Sequence, residues 1–226
     1  QGRHQQPHDL LGQHLESGGL RIRVLKPLAQ SVQVRFEDGV TLDLAHEAEG
    51  VWTAVRADAE RTMDYRLAVA WADGIEHVQD DPYRFAPTLG EVDLHLVNEG
   101  RHELLWTVLG SRLHEYDGPM GPVKGVAFAV WAPRAKAVRV IGDFNDWDGR
   151  IHPMRMLGGS GVWELFVPDV GVGNIYKYEI RGADDVVRTK ADPMARRTEC
   201  PPNTGSVVDA SGHEWGDAQW MAQRAQ

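Results

Sequence analysis

One cysteine, Cys200, is present in 226 residues. No disulfide can close within such a chain, and a reducing setting such as the cytoplasm fits it. No apolar run approaches the roughly 18 residues that a membrane span needs, and residues 1–8 are polar, without the apolar core of a secretory signal. A basic excess is missing as well. The 24 Lys and Arg stand against 33 Asp and Glu, for a formal net charge of −9. That balance argues against a phosphate-backbone partner such as nucleic acid, and it leaves a neutral ligand such as a sugar polymer open.

Catalytic and cofactor motifs are also absent. Gly158-Gly-Ser-Gly161 approaches a nucleophile elbow, but Val162 stands where the last glycine is required. Gly171-Val-Gly173 lacks the third glycine of a dinucleotide loop, its place taken by Tyr176. His4, His8 and His14 lie close together without a matching cysteine or carboxylate cluster, so no metal site is expected. Asp143, Asp146 and Asp148 are crowded into a glycine-flanked loop, where such residues make turns. Sugar-bond chemistry needs two carboxylates on opposite sides of one bond. No catalytic residue and no cofactor are expected in this chain.

What the chain does contain is a repeat. Pro27, Val32 and Val34 match Pro133, Val138 and Val140, 106 residues on. Gly50-Val-Trp52 matches Gly161-Val-Trp163, Tyr65 matches Tyr176, and Asp81-Pro82 matches Asp192-Pro193, all 111 residues on. Two modules of similar fold in tandem is the simplest reading. The offset grows by five residues at Gly142-Asp-Phe-Asn-Asp-Trp-Asp-Gly149, so the second module carries an inserted loop. Loops on a rigid β scaffold are frequent binding sites.

The repeated segments read as strands. Leu20-Arg-Ile-Arg-Val24 and Val138-Arg-Val140 alternate apolar and charged residues, and Val162 to Val167 and Ile175 to Ile180 are rich in β-branched and aromatic residues. Turn residues separate them, as at Ala132-Pro133 and Gly158-Gly159. The expected fold is all-β, with two immunoglobulin-like sandwiches in tandem. Apolar residues at 105, 108 and 109 followed by Gly110 read as a short helical linker. The expected boundaries are 1–98 for the first sandwich, 99–112 for the linker and 113–210 for the second sandwich. The tail after Trp220 reads as loop.

In the inserted loop, Trp147 offers a flat apolar ring on which the C–H face of a pyranose can lie. Asn145 and Lys177 have the chemistry to bond sugar hydroxyls. Phe144 reads as a core residue.

Phe128-Ala-Val-Trp-Ala-Pro133, the Gly142 to Trp147 loop and Tyr176-Lys-Tyr178 together resemble the family-48 carbohydrate-binding module. Pro7-His-Asp-Leu-Leu-Gly-Gln-His14, Asp81-Pro-Tyr-Arg-Phe85, Glu99-Gly-Arg-His102, Lys190-Ala-Asp-Pro193 and Trp215 to Met221 resemble, in order, the front region of bacterial glycogen branching enzymes. The resemblance implies a 1,4-α-glucan branching enzyme of the α-amylase superfamily, a glycosyltransferase of glycogen biosynthesis. Its carboxylates would sit in a (β/α)₈ barrel, the enzyme's own catalytic domain, for which 211–226 would be the lead-in. A barrel of about 250 residues does not fit in this chain, so the 226 residues are expected to be inactive alone. The implied partners are α-1,4-glucan chains and that barrel, with no nucleic acid and no membrane.

Trp147 matches the family's first platform tryptophan and Lys177 the lysine of the Tyr-Lys strand. The turn at Gly182 to Val187 has no aromatic where kinase-type modules carry a second platform. A stand-alone glycogen-binding scaffold, and the front of a debranching or trehalose-releasing relative, remain as alternatives.

Overall fold

A computed structural model describes residues 5–210, 212 and 216–224. These described residues build four antiparallel sheets, two in each half. The first half runs through β1 (Gly12–Glu16), β2 (Gly19–Leu25), β3 (Ser31–Phe36), β4 (Thr41–Asp43), β5 (Ala45–Ala48), β6 (Val51–Arg56), β7 (Tyr65–Ala70) and β8 (Glu76–Gln79). Its sheets have the orders β1-β2-β6-β5 and β4-β3-β7-β8. The second half has β9 (Gly110–Tyr116), β10 (Val123–Trp131), β11 (Ala137–Gly142), β12 (Arg155–Met156), β13 (Val162–Pro168), β14 (Ile175–Arg181), β15 (Val187–Lys190), β16 (Arg197–Thr198) and β17 (Ser206–Val207). Its sheets have the orders β12-β13-β10-β9 and β11-β14-β17-β16, with β15 on the far end of β14. The fold is all-β, as two sandwiches.

Period-two alternation places each core. In β2, Leu20, Ile22 and Val24 are buried while the intervening arginines are not, and β3 buries Val32, Val34 and Phe36. These meet Tyr65, Leu67 and Val69 of β7 in the first core. The second core is assembled the same way from β10, β11, β13 and β14, with Phe128, Val140, Trp163 and Tyr178 among its members. Each large side chain buried this way contributes roughly 1.5–3 kcal/mol.

The repeat seen in the sequence is a repeated set of contacts. Lys26 N donates to Gly50 O at 2.7 Å, and Ala132 N donates to Gly161 O at 2.8 Å. The indole of Trp52 donates to Lys26 O at 3.1 Å, and that of Trp163 to Ala132 O at 3.0 Å. Gly50 and Gly161 have positive φ, and a Cβ on either would stand 2.6 Å from the Cα of Pro27 or Pro133. Only glycine permits that approach. The Tyr65 hydroxyl donates to buried Asp81 at 2.7 Å, and the Tyr176 hydroxyl to buried Asp192 at 2.6 Å.

The segment between the sandwiches departs from the expected one. The main helix, α1 (Glu91–Asn98), ends where the linker helix was expected to begin. Gly100, at φ +68°, closes it, with Gly100 N donating to Val97 O. A glycine in that conformation terminates the helix before it, so 99–104 is not helical. Leu105–Val108 forms a four-residue turn, α2, and Gly110 already starts β9. The tail also differs from the loop reading, since residues Ala218–Arg224 form a helix, α3, of mostly strong helix formers. Among the described residues, no helix is long and apolar enough to cross a membrane.

The bridge at 81–109 covers the outer face of the β12-β13-β10-β9 sheet. Phe85 packs on Val123, Ala127 and Phe166, and Leu89, Val108 and Leu109 pack with Ala129 and Val162. Every residue of β13 is therefore buried. Glu164, pointing into that covered face, accepts from Thr88 N at 2.7 Å and from Arg155 at 3.2 Å. Leu11 and Tyr83 lie in the second core, and the Tyr83 hydroxyl is shared between Ile151 O and Pro153 O. Met156 N donates to Gln5 O at 2.9 Å. The two sandwiches are thus tied by buried side chains as well as by the chain.

Candidate functional site: the β11–β12 loop

The inserted loop leaves the end of β11 at Gly142, where a Cβ would collide with Ile175 O and the Phe144 ring. Phe144 turns inward and stacks on Phe128, with ring centroids 5.6 Å apart. It is half-buried and packs against the second core. Asp143 accepts from the side chain of Asn174 at 2.8 Å and from Ile175 N at 3.0 Å. Asp148 accepts from Arg150 N at 2.9 Å and pairs with its guanidinium. Arg150 in turn holds the Asp148 carboxyl below the usual range. These two aspartates shape the loop. Gly149 lies flat over Arg139, Ile141 and Glu179 of the outer β11–β14 face, where a side chain would not fit.

Asn145 was expected to meet a sugar, and its place in the structure is different. It is 5% exposed. Its Oδ1 accepts from Gly142 N at 2.8 Å, while its Nδ2 donates to Val140 O at 3.1 Å and lies 2.8 Å from His152 Nδ1. The amide is spent on closing the loop. An amide in a tight turn satisfies orphaned backbone groups as readily as it binds a ligand, and only burial separates the two. The bond to Asn145 makes His152 Nδ1 an acceptor, which leaves the proton on Nε2. Burial, then the Lys26 charge, lowers the His152 pKa to about 3, so the ring is neutral at ordinary pH.

The outcome of this scaffolding is the position of Trp147. Asp146 and Trp147 both have left-handed backbones, with φ of 51° and 60°. For a bulky residue that conformation is an outlier costing roughly 1–3 kcal/mol. Trp147 N is anchored to Gly142 O at 2.9 Å. The residue is 43% exposed. An exposed indole on a strained, well-bonded loop is held outward by the loop rather than by packing.

Lys177 sits opposite Ile141 in the β11–β14 ladder, so both side chains leave the same face. Its ammonium donates to Thr204 Oγ1 at 2.7 Å. The loop over Ile141 and the Lys177 side chain therefore share one surface of the second sandwich. The turn at residues 182–187 is closed by Asp185 N donating to Gly182 O and by ion pairs of Asp184 with Arg188 and Asp185 with Lys136.

One exposed aromatic near that turn escaped the sequence reading. Trp131 is 55% exposed at the end of β10 and lines an open cleft with Ala132, Pro133, Ile180, Gly182 and Arg188. The signal was present: strand alternation that buries Val130 turns Trp131 to the other face. His8, of the expected trio, lies edge-on to Tyr83 at 5.1 Å, and His14 Nε2 lies 3.1 Å from Leu11 O. His4 and Trp215 lie outside the described residues.

The geometry is that of an immunoglobulin-like sandwich bearing an outward aromatic on a rigid loop, which is the class of the carbohydrate-binding modules. Residues 109–195 match the model of carbohydrate-binding module 48 (isoamylase N-terminal domain), and residues 1–83 match that of the alpha-1,4-glucan branching enzyme GlgB N-terminal domain. Over 99% of its length the chain is 52% identical to the 1,4-alpha-glucan branching enzyme GlgB of Rhodococcus jostii. It is 53% identical to that of Thermobifida fusca and 50% identical to that of Leifsonia xyli, again over 99%. It spans about 30% of the length of each of these relatives. Residues 1–83 thus match the GlgB N-terminal domain and residues 109–195 carbohydrate-binding module 48, and the chain corresponds to the N-terminal region of the GlgB branching enzymes it is similar to.

Proposed function

We propose that the chain is the front part of a glycogen branching enzyme and that it holds α-1,4-glucan chains for a separate (β/α)₈ barrel. That barrel would move glucan segments to 6-hydroxyls in the cytoplasm, without nucleic acid or membrane as partner. The observation that carries this reading is the indole of Trp147, displayed on a strained loop that internal bonds hold in place. A pyranose stacks its C–H face on the ring, while Lys177 donates to a hydroxyl from the same sheet face. Asn145 contributes by keeping the loop closed rather than by touching sugar. The second sandwich, from Gly110 to about residue 210, is the glucan-binding unit, the first sandwich a spacing and docking unit, and 211–226 the lead to the barrel.

Titration with maltoheptaose, followed by calorimetry, tests the site. Weak binding is expected, reduced about tenfold or more in Trp147→Ala, because stacking on one ring is worth on the order of 0.5–1.5 kcal/mol plus its buried area. Trp147→Ala should leave stability within about 0.5 kcal/mol, as for other exposed positions. Equal affinity in the variant would place glucan elsewhere. Branching by the 226-residue chain alone would refute the division of labour.

A further inference from the structure

Between the two sandwiches lies a cavity of about 240 Å³, lined from both sides. The first sandwich supplies Lys26, Trp71 and Gln79. The second supplies Phe144, His152 and Asp169. We propose that this cavity is a second carbohydrate site, taking a single pyranose ring, separate from the Trp147 surface and not dependent on it.

Three polar groups on the cavity wall have hydrogen-bonding capacity left over among the described residues. Half-buried Lys26 has three donors, and among the described residues its ammonium makes one hydrogen bond, to Gln79 Oε1 at 2.9 Å. Its pKa is lowered by burial against the pull of Asp81, as expected of an ammonium short of partners. His152 is 8% exposed, and with Nδ1 facing Asn145 its Nε2–H finds no acceptor among the described residues. Asp169 is exposed at the rim of the cavity with a left-handed backbone at φ 61°, and its carboxylate takes no hydrogen bond among the described residues; burial and the nearby Asp80 raise its pKa, and the Arg66 charge opposes them. By contrast, Asp81 is satisfied by the Tyr65 hydroxyl and Tyr83 N, and Asp80 by Arg84 and Arg66.

Spare donors on one wall and a spare acceptor on the other call for a ligand whose groups both donate and accept. Hydroxyls do this. A phosphate would face Asp80, Asp81 and Asp169. An apolar ligand would leave Lys26 and His152 desolvated without partners, which is costly. The Trp71 and Phe144 rings supply the apolar surface that a sugar ring needs. The volume lies below the roughly 300–1,000 Å³ of drug-sized pockets, so it fits one ring and not a helix of glucan.

The ring has two sources, free glucose or the end of a maltodextrin. The test is NMR titration of the 226-residue chain with glucose, and separately with maltotriose, following the Trp71 indole N–H and the His152 ring signals. Shifts of both with glucose are expected. With Asp169→Asn the apparent affinity should fall about tenfold, as for loss of a charged hydrogen bond, and with Trp147→Ala it should not change. Response to maltotriose but not glucose assigns the site to chain ends and still supports it. Lys26→Met, which keeps the aliphatic stem, should abolish the shifts, and Asp169→Asn serves if that variant does not fold. Absence of shifts with either sugar, or equal loss in Trp147→Ala, overturns the proposal, with water as the cavity's only occupant in the first case. Loss of maltoheptaose binding in Trp147→Ala with intact glucose shifts, or the reverse, separates the two sites.

Discussion

The repeated tyrosine–aspartate anchors carry a quantitative expectation. Tyr65→Phe and Tyr176→Phe each remove one hydroxyl and keep the ring, so neither opens a large cavity. In the first sandwich the Tyr65 hydroxyl is the hydrogen-bond donor to Asp81 Oδ2, at 2.7 Å, and Asp81 is 1% exposed. Taking it away leaves a buried carboxyl oxygen without that donor, at a cost of about 2–3 kcal/mol. In the second sandwich Asp192 Oδ2 accepts from Tyr176 at 2.6 Å and also from Tyr178 at 3.3 Å. A small shift of Tyr178 can take over, so Tyr176→Phe should cost only about 1 kcal/mol. Urea denaturation, read by far-ultraviolet circular dichroism and by tryptophan fluorescence, measures both. A double-mutant cycle of Tyr65→Phe with Asp81→Asn should return a coupling of at least about 1 kcal/mol. Equal costs for Tyr176→Phe and Tyr65→Phe would mean that Tyr178 does not take over, and a cost under about 0.5 kcal/mol for Tyr65→Phe would mean that the buried Asp81 carboxyl does not depend on this hydroxyl.

Two further outcomes follow from the same geometry. Gly50→Ala and Gly161→Ala each force a Cβ to 2.6 Å from a proline Cα at positive φ; each should lower stability by about 2–4 kcal/mol, while Gly159→Ala, with open space around it, should be nearly neutral in the same urea titration. Burial, then Arg155 and His14, lowers the His8 pKa to about 3 in the folded chain, against about 6.5 unfolded. The folded ring stays neutral while the unfolded one takes up a proton, so its contribution is present above pH 6.5 and is lost as pH falls. By pH 5 the loss is about 2 kcal/mol, and unfolding at pH 7 and pH 5 should show a drop smaller by that amount in His8→Gln. An unchanged drop would show that His8 is solvated.

Much of the fold was legible because its signals are local. Alternation in β2 and β3, the Gly-Val-Trp and Asp-Pro landmarks and the extra length at residues 142–149 reflect contacts that each sandwich makes with itself, so a single sequence carries them twice. The helix was misplaced because Gly100 and Gly110 are equally good stops in sequence, while one closes α1 and the other opens a strand against Met194. Of the residues singled out at the loop, Trp147 is exposed and Lys177 leaves the same strand face as Ile141, but Asn145 is buried.

The two sandwiches, their order and the insertion that sets the second apart are written locally in the residues, since strand periodicity and turn chemistry act over a few positions. Which polar side chains are spent on internal bonds and which keep capacity to spare is set by how distant segments pack. Asn145 is consumed by its own loop, Glu164 is locked under a bridge that begins more than 60 residues earlier, and Lys26 and Asp169 line one cavity from opposite halves. Burial and partnership depend on segments distant in the chain, and residue type alone does not encode them.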